Sequence, residues 1–310
     1  MLAVFEIVAP VFALVAIGWA AAKGGIVSPE GGRALGALIL WIAMPALIVR
    51  AFVERGVTEV LDWRMAAGYA GASLALLVAT YVLLRLRGRP HARAGVGAMG
   101  AAGPNSGFIG YPLVTLALGP EMGAMVLANA LLVENAMTVP LSLALAQRGG
   151  GASPLRAAWG LLKAAFTSNP LLGSVILGAV LSLSGIGLPG PSGTVIALLS
   201  GAATPVALIA VGAALAHLPE GTARRDRPEV AAAKLVLHPA LVLGAVALLI
   251  GSWQDPRAVG MALTAASPMM AAYPAICARV QETPWAAATL VTAMAGSVAS
   301  LPLWLWALGV

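Results

Sequence analysis

Long apolar runs alternate with short polar connections along this chain, and a window of about 19 residues picks out ten runs long enough to cross a bilayer. They cover residues 2–22, 33–53, 63–84, 95–118, 121–146, 163–184, 193–217, 230–251, 256–279 and 284–308. The longest connections, around 147–160 and 219–229, are too small to be domains of their own. The pattern therefore predicts a single all-α membrane domain over residues 1–310.

Two runs cannot continue as straight helices. The fourth carries Gly103-Pro104-Asn105-Ser106-Gly107 and then Tyr111-Pro112, and the ninth carries Ser267-Pro268-Met269-Met270 and then Tyr273-Pro274. Each proline lacks a backbone donor and crowds the carbonyl four residues earlier, at a cost of about 3 kcal/mol in a helix interior. In hydrocarbon the freed carbonyl finds no water, so such a break survives only inside protein or beside a hydrated cavity. One broken span in each half of the chain points to a transporter's binding site.

The halves also repeat. Pro10, Gly18 and Pro45 recur as Pro170, Gly178 and Pro205 at an offset of 160, and Tyr111-Pro112 recurs as Tyr273-Pro274 at 162. Five spans is an odd number, so the second copy enters the membrane the opposite way up. The expected fold is a 5+5 inverted repeat over about 1–146 and 163–310, with spans four and nine crossing at mid-membrane. Second half-helices starting after Pro104 and Pro268 would point their free N–H groups at the crossing, where an anion is favoured.

Composition sharpens this picture. Apolar residues make up 60% of the 310 positions and charged residues only 10%, against roughly 25% charged in ordinary soluble domains. The net charge of +6 does not indicate nucleic acid, because the basic residues fall in short loops. With the N-terminus outside, thirteen Lys and Arg lie on the inner side and four (Arg50, Arg55, Arg64 and Arg257) on the outer, Lys234 being within a span. That bias predicts both termini outside the cytoplasm. Trp63, Trp159, Trp253, Trp285, Trp304 and Trp306 fall near span ends, where interface anchoring and core packing are both open readings. The first run has no basic residues before it, so it reads as a retained span and not as a signal peptide. A lone Cys277 and three scattered histidines, His91, His217 and His238, offer no metal-ligand spacing. No Gly-x-x-x-x-Gly-Lys loop is present for ATP, and neither a metal nor a cofactor is expected.

The order of motifs resembles the auxin efflux carrier family, which includes plant auxin exporters and bacterial relatives labelled malonate transporters. The resemblance rests on Ala9-Pro10, Ile26-Val27-Ser28-Pro29-Glu30, Ala43-Met44-Pro45-Ala46-Leu47 and, most specifically, Gly103-Pro104-Asn105-Ser106 with Ile109-Gly110-Tyr111-Pro112-Leu113. It continues through Ser168-Asn169-Pro170, Thr204-Pro205, Val211-Gly212 and His238-Pro239. It implies a ten-helix fold like that of sodium/proton antiporters and bile-acid symporters, with a scaffold and a moving transport domain. It implies a bacterial inner-membrane protein that carries a small organic anion by alternating access of the elevator type. The long loop of the plant carriers between spans five and six is missing here, and a homodimer stays open.

Candidate residues follow. Asn105, beside Pro104, Ser106, Pro268 and Met269, is expected at the crossing, as substrate donor or helix cap. Asn169 has the same two readings, and Pro45 kinks span two with its loosened backbone toward the site. Glu134, with Asn135, is an acid deep in span five that can exchange a proton, stay neutral, pair with Lys234 or serve as a structural acceptor. Lys234 and His238 share one face of span eight; snorkelling is expected for the first and a satisfied core position for the second. Asn129 reads as packing glue. A coupling proton or sodium is left open. The rival readings are a cation/proton antiporter or sodium-coupled symporter on the same fold, an intramembrane enzyme and a ligand-sensing receptor. An enzyme would want a His-x-x-x-His or paired aspartates, and the sequence has neither.

Overall fold

A computed structural model describes residues 2–147, 159–160, 163, 169–217 and 228–310. All named elements are helical: α1 (Leu2–Lys23), α2 (Pro29–Arg55), α3 (Trp63–Leu86), α4a (His91–Ala102), α4b (Ser106–Leu118), α5 (Pro120–Ala146), α6 (Pro170–Leu183), α7 (Gly190–Ala216), α8 (Glu229–Ile250), α9a (Pro256–Ala266), α9b (Tyr273–Cys277) and α10 (Thr283–Leu308). Seven of these are long and apolar enough to cross a membrane. The fourth and ninth runs fall short because they break, and in the sixth run residues 164–168 lie outside the described ones.

Most packing falls into two groups of helices. In one, α1 packs on α7, and α2 on α6 and α7; in the other, α3 and α8 pack on each other and on the broken helices, flanked by α5 and α10. The α1–α7 contact is backbone on backbone. A Cβ on Gly18 would sit 2.1 Å from the Ile209 carbonyl oxygen, and one on Gly212 would sit 1.9 Å from that of Val15. Small residues of this kind let membrane helices approach closely enough for dispersion to hold them together.

Proline shapes the helices in two ways. Pro10, Pro205 and Pro302 sit inside helices that run on as α. Pro45, Pro112, Pro140 and Pro239 each follow a π-helical turn, at Ile39–Ala43, Ser106–Gly110, Glu134–Thr138 and Ala233–Leu237. In all four, the residue before the proline donates to the carbonyl six positions before the proline: Met44 to Ile39, Tyr111 to Ser106, Val139 to Glu134 and His238 to Ala233. The wider turn gives the pyrrolidine ring room against the backbone it would otherwise strike. The Leu235 carbonyl, four residues before Pro239, accepts instead from Trp304 Nε1 at 2.8 Å. Trp304 and the buried Trp285 are thus core residues, whereas Trp63, Trp159, Trp253 and Trp306 are exposed.

Polar ends are tied by ion pairs. Asp62 and Asp255 cap α3 and α9a, and Arg257 joins them at 2.8 Å to each carboxylate. Hydrogen bonding from Arg257 holds the Asp255 carboxyl below its usual range. Arg93, at the start of α4a, meets Glu282 at 3.1 Å, just before α10.

Replacing Gly212 with Val should force α1 and α7 apart and lower stability by about 1–3 kcal/mol, the usual cost of overpacking. Thermal unfolding of the detergent-solubilised variant measures it; Gly244→Val, in open space on α8, is the control expected to stay near wild type.

Candidate functional site: the helix crossing and its cavity

The two breaks meet. Asn105 N–H donates to the Pro268 carbonyl at 2.7 Å, and Pro104 and Met269 form an antiparallel bridge, so the interrupted backbones satisfy one another. Close approach needs Gly100, where a Cβ would lie 2.7 Å from the Tyr273 hydroxyl. That hydroxyl donates to the Val96 carbonyl at 2.8 Å and fastens α9b to α4a.

The two sides of the crossing differ. On α4b, Asn105 is the N-cap: its Oδ1 accepts from Phe108 N–H at 3.3 Å, and the amides of Ser106 and Gly107 lie in the first turn, where no intrahelical acceptor exists. Its Nδ2 has no hydrogen-bond partner among the described residues, and the residue as a whole is 3% exposed. After Pro268, by contrast, the chain runs irregularly through Ala272 before five residues of helix. The second half-helix expected just after Pro268 is displaced to Tyr273, because Ser267 to Met270 are extended to pair with α4. A single turn builds almost no dipole, so this side offers little to an anion.

Beside the crossing lies a cavity of about 490 Å³. Its walls include Trp41 and Met44 from α2, Pro104 to Phe108, Glu134 and Asn135 from α5, Asn169 at the head of α6, and Met270, Ala272, Ile276 and Arg279. Three of the four π turns thus contribute to it. Pro45, Pro268 and Met269 do not line it: Met44 and Trp41 face it from α2, while Pro268 and Met269 are buried in the crossing itself.

Glu134, 4% exposed, accepts through Oε1 from the Tyr69 hydroxyl at 2.7 Å and from the Ser106 hydroxyl. Asn169 plays both of its expected geometric parts, lining the cavity and capping α6 through Leu171 N–H at 2.9 Å. Its Nδ2 donates to Asn135 Oδ1 at 2.7 Å, and Asn135 in turn donates to the Leu131 carbonyl. Asn129 joins α5 to the Val60 carbonyl at 2.8 Å.

Lys234 does not snorkel. It is fully buried, donating to the Ala265 carbonyl at the end of α9a and lying 3.1 Å from His238 Nδ1, because the π turn at 233–237 faces it inward. His238 is satisfied in the core, with Ser73 at 2.9 Å from Nε2 and the Tyr69 ring beside it. Glu134 and Lys234 do not form an ion pair; the acid bonds to hydroxyls and the amine to a carbonyl and an imidazole. Among the described residues no group of three His, Cys, Asp or Glu converges to hold a metal.

Trp41 and Arg279 are not singled out by the sequence, and Met44 enters only with the motif around Pro45. Trp41 reads as an ordinary apolar position, and Arg279 counts only toward orientation. A cue was available for Arg279: it falls five residues after Pro274 in the same broken span.

A multi-pass membrane protein with paired breaks beside a cavity that several polar side chains reach has the build of a transporter. Residues 3–305 match the family model described as membrane transport protein, and the chain belongs to that family, the auxin efflux carrier group that its motifs resemble. It is 29% identical over 267 residues, 84% of this chain and 81% of the relative, to a protein of Rhizobium meliloti (strain 1021) provisionally named a malonate transporter. It is 28% identical to the uncharacterized transporter YfdV of Escherichia coli (strain K12), over 96% of this chain and 95% of the relative. An uncharacterized transporter of Methanothermobacter thermautotrophicus is 25% identical over 96% of both chains.

Truncating Glu134 to Ala should strand the buried Tyr69 and Ser106 hydroxyls, at about 1–3 kcal/mol for each. Glu134→Gln keeps an acceptor and should lose markedly less; unfolding of the two variants side by side tests this.

Proposed function

We propose that the protein is a secondary transporter that carries a small organic carboxylate across the cytoplasmic membrane by alternating access, with the substrate held at the crossing of helices four and nine. The observation that carries this reading is the open α4b N-terminus with the unpartnered Asn105 amide beside it, both on the cavity wall. Buried N–H donors with no acceptor of their own are what a carboxylate would satisfy. The name of the Rhizobium relative points to the same class of substrate.

Several features support a 5+5 inverted repeat around that site. The pairings α1–α7 and α2–α6 are each other's image when the halves exchange. Gly18 packs on α7 near Gly212, and its counterpart Gly178 packs against Phe52 of α2, the position 160 residues before Gly212. Arg93 and Arg257 each precede their break proline by eleven residues and each anchor a broken helix through a carboxylate. In this reading α1, α2, α6 and α7 are the scaffold and the remaining helices the moving body.

The cavity includes Leu143, near one end of α5, whereas Arg55 of α2 pairs with Glu121 at the other end of the same helix. By the charge bias the cavity then opens to the cytoplasm while the outer side is closed, with both termini outside. Rocking the moving body would open the outer side and close the inner one.

A second reading, coupling to a proton or sodium, has its own support in Glu134. A carboxylate beside an anion site repels the anion, so binding and protonation are linked. Sodium is the weaker of the two, because the Lys234 amine already occupies the Ala265 carbonyl at the end of α9a.

Uptake of radiolabelled organic acids into proteoliposomes is the test. Asn105→Ala should lower transport by about tenfold or more, the worth of one hydrogen bond to a charged group; a wild-type rate for every acid removes the site from Asn105. If a proton is coupled through Glu134, Glu134→Gln should flatten the dependence of uptake on pH across the range where wild type varies. A rate that instead tracks an imposed sodium gradient would favour the antiporter or symporter reading.

A further inference from the structure

Arg279 is the one cationic side chain among the residues that line the cavity. Arg33, Arg50, Arg55, Arg87, Arg93 and Arg257 each meet a carboxylate within 4 Å; Arg279, like Arg64, Arg85 and Arg89, meets none among the described residues. Its natural partner three residues on, Glu282, is taken by Arg93. Ala272, Ile276 and Arg279 all line the cavity, and their spacing puts them on one helical face. Arg279 is exposed and borders the cavity. It lies on the short turn Ala278–Val280, which Gln281 ends in a left-handed conformation.

Resting on the reading of the crossing as a carboxylate site, we propose that Arg279 is a second carboxylate subsite, making the cavity selective for dicarboxylates over monocarboxylates. One carboxylate of the substrate takes the N–H groups of α4b and the Asn105 amide. The other takes the guanidinium, whose planar fork matches a carboxylate with two parallel hydrogen bonds. The cavity lining also includes the apolar side chains of Met44, Phe108 and Ile276, which suit the carbon chain that joins two acid groups. A monocarboxylate fills one end and leaves the arginine solvated.

The experiment measures binding of malonate, succinate and glutarate against propionate, butyrate and valerate to the purified full-length chain, by thermal shift and by competition. Wild type should bind at least one diacid about tenfold or more tightly than the monoacid of the same carbon number, consistent with one added charge-assisted pair. Arg279→Gln should erase that gap while leaving monoacid affinity within about twofold, and Arg279→Lys should restore part of it. Asn105→Ala should weaken both classes together. The proposal is overturned if Arg279→Gln keeps the diacid preference, if it weakens both classes in equal proportion, as a charge that only attracts anions would, or if wild type shows no preference. Should wild type bind neither class, the carboxylate reading of the crossing fails as well, a result distinct from loss of selectivity alone.

Discussion

The hydrogen bond from Asn105 N–H to the Pro268 carbonyl is the constraint on which the site depends. Two helices broken inside a membrane expose donors and acceptors that hydrocarbon cannot satisfy, each at several kcal/mol. Here each break supplies what the other lacks, and the Pro104–Met269 bridge completes an antiparallel pairing. Neither break is viable without the other. Gly100, the Tyr273 hydroxyl on Val96 and the fully buried Met269 follow from the need to bring two backbones together.

Apolar length and proline position are properties of the chain in one dimension, so the runs and their two breaks could be read directly. Runs 121–146 and 284–308 lie within a residue of α5 and α10. What could not be read was the rotation of side chains around each helix axis. A proline announces a disturbed helix, yet Pro205 leaves α7 continuous while Pro45, Pro140 and Pro239 impose π turns. The choice depends on what packs against the crowded backbone, as the Trp304 indole does at Leu235. Because a π turn holds more residues per turn than an α turn, it re-aims every side chain within it. Lys234 is the instance: its depth in the sequence suits snorkelling, and the wide turn before Pro239 points it to Ala265 instead.

The halves are alike in sequence and unlike in chemistry. Tyr111-Pro112 and Tyr273-Pro274 match, yet the first lies inside α4b, whose start is capped by Asn105, and the second begins a five-residue helix. Met269 occupies the place across from Asn105's neighbour and can only pack. The crossing itself is polar toward α4b, where Asn105, Ser106 and Gly107 line the cavity, and packed at Pro268 and Met269, which are buried and do not line it. That asymmetry is hidden in the sequence because the pairs Tyr111-Pro112 and Tyr273-Pro274 look equivalent on paper.

Glu134 then becomes a demanding neighbour. Its carboxylate borders the cavity and holds the hydroxyl of Ser106, the first residue of α4b. Both its hydroxyl partners can donate to an ionised acid or, by rotating, accept from a protonated one, whereas backbone N–H groups could do only the first. The pair Tyr69 and Ser106 is thus a setting in which either protonation state is satisfied without moving the backbone. An anion arriving beside Ser106 raises the cost of the ionised state by Coulomb repulsion in a low-dielectric site, and a departing anion lowers it. In such a setting proton occupancy would follow substrate occupancy, with the hydroxyls of two different helices as the only parts that must turn.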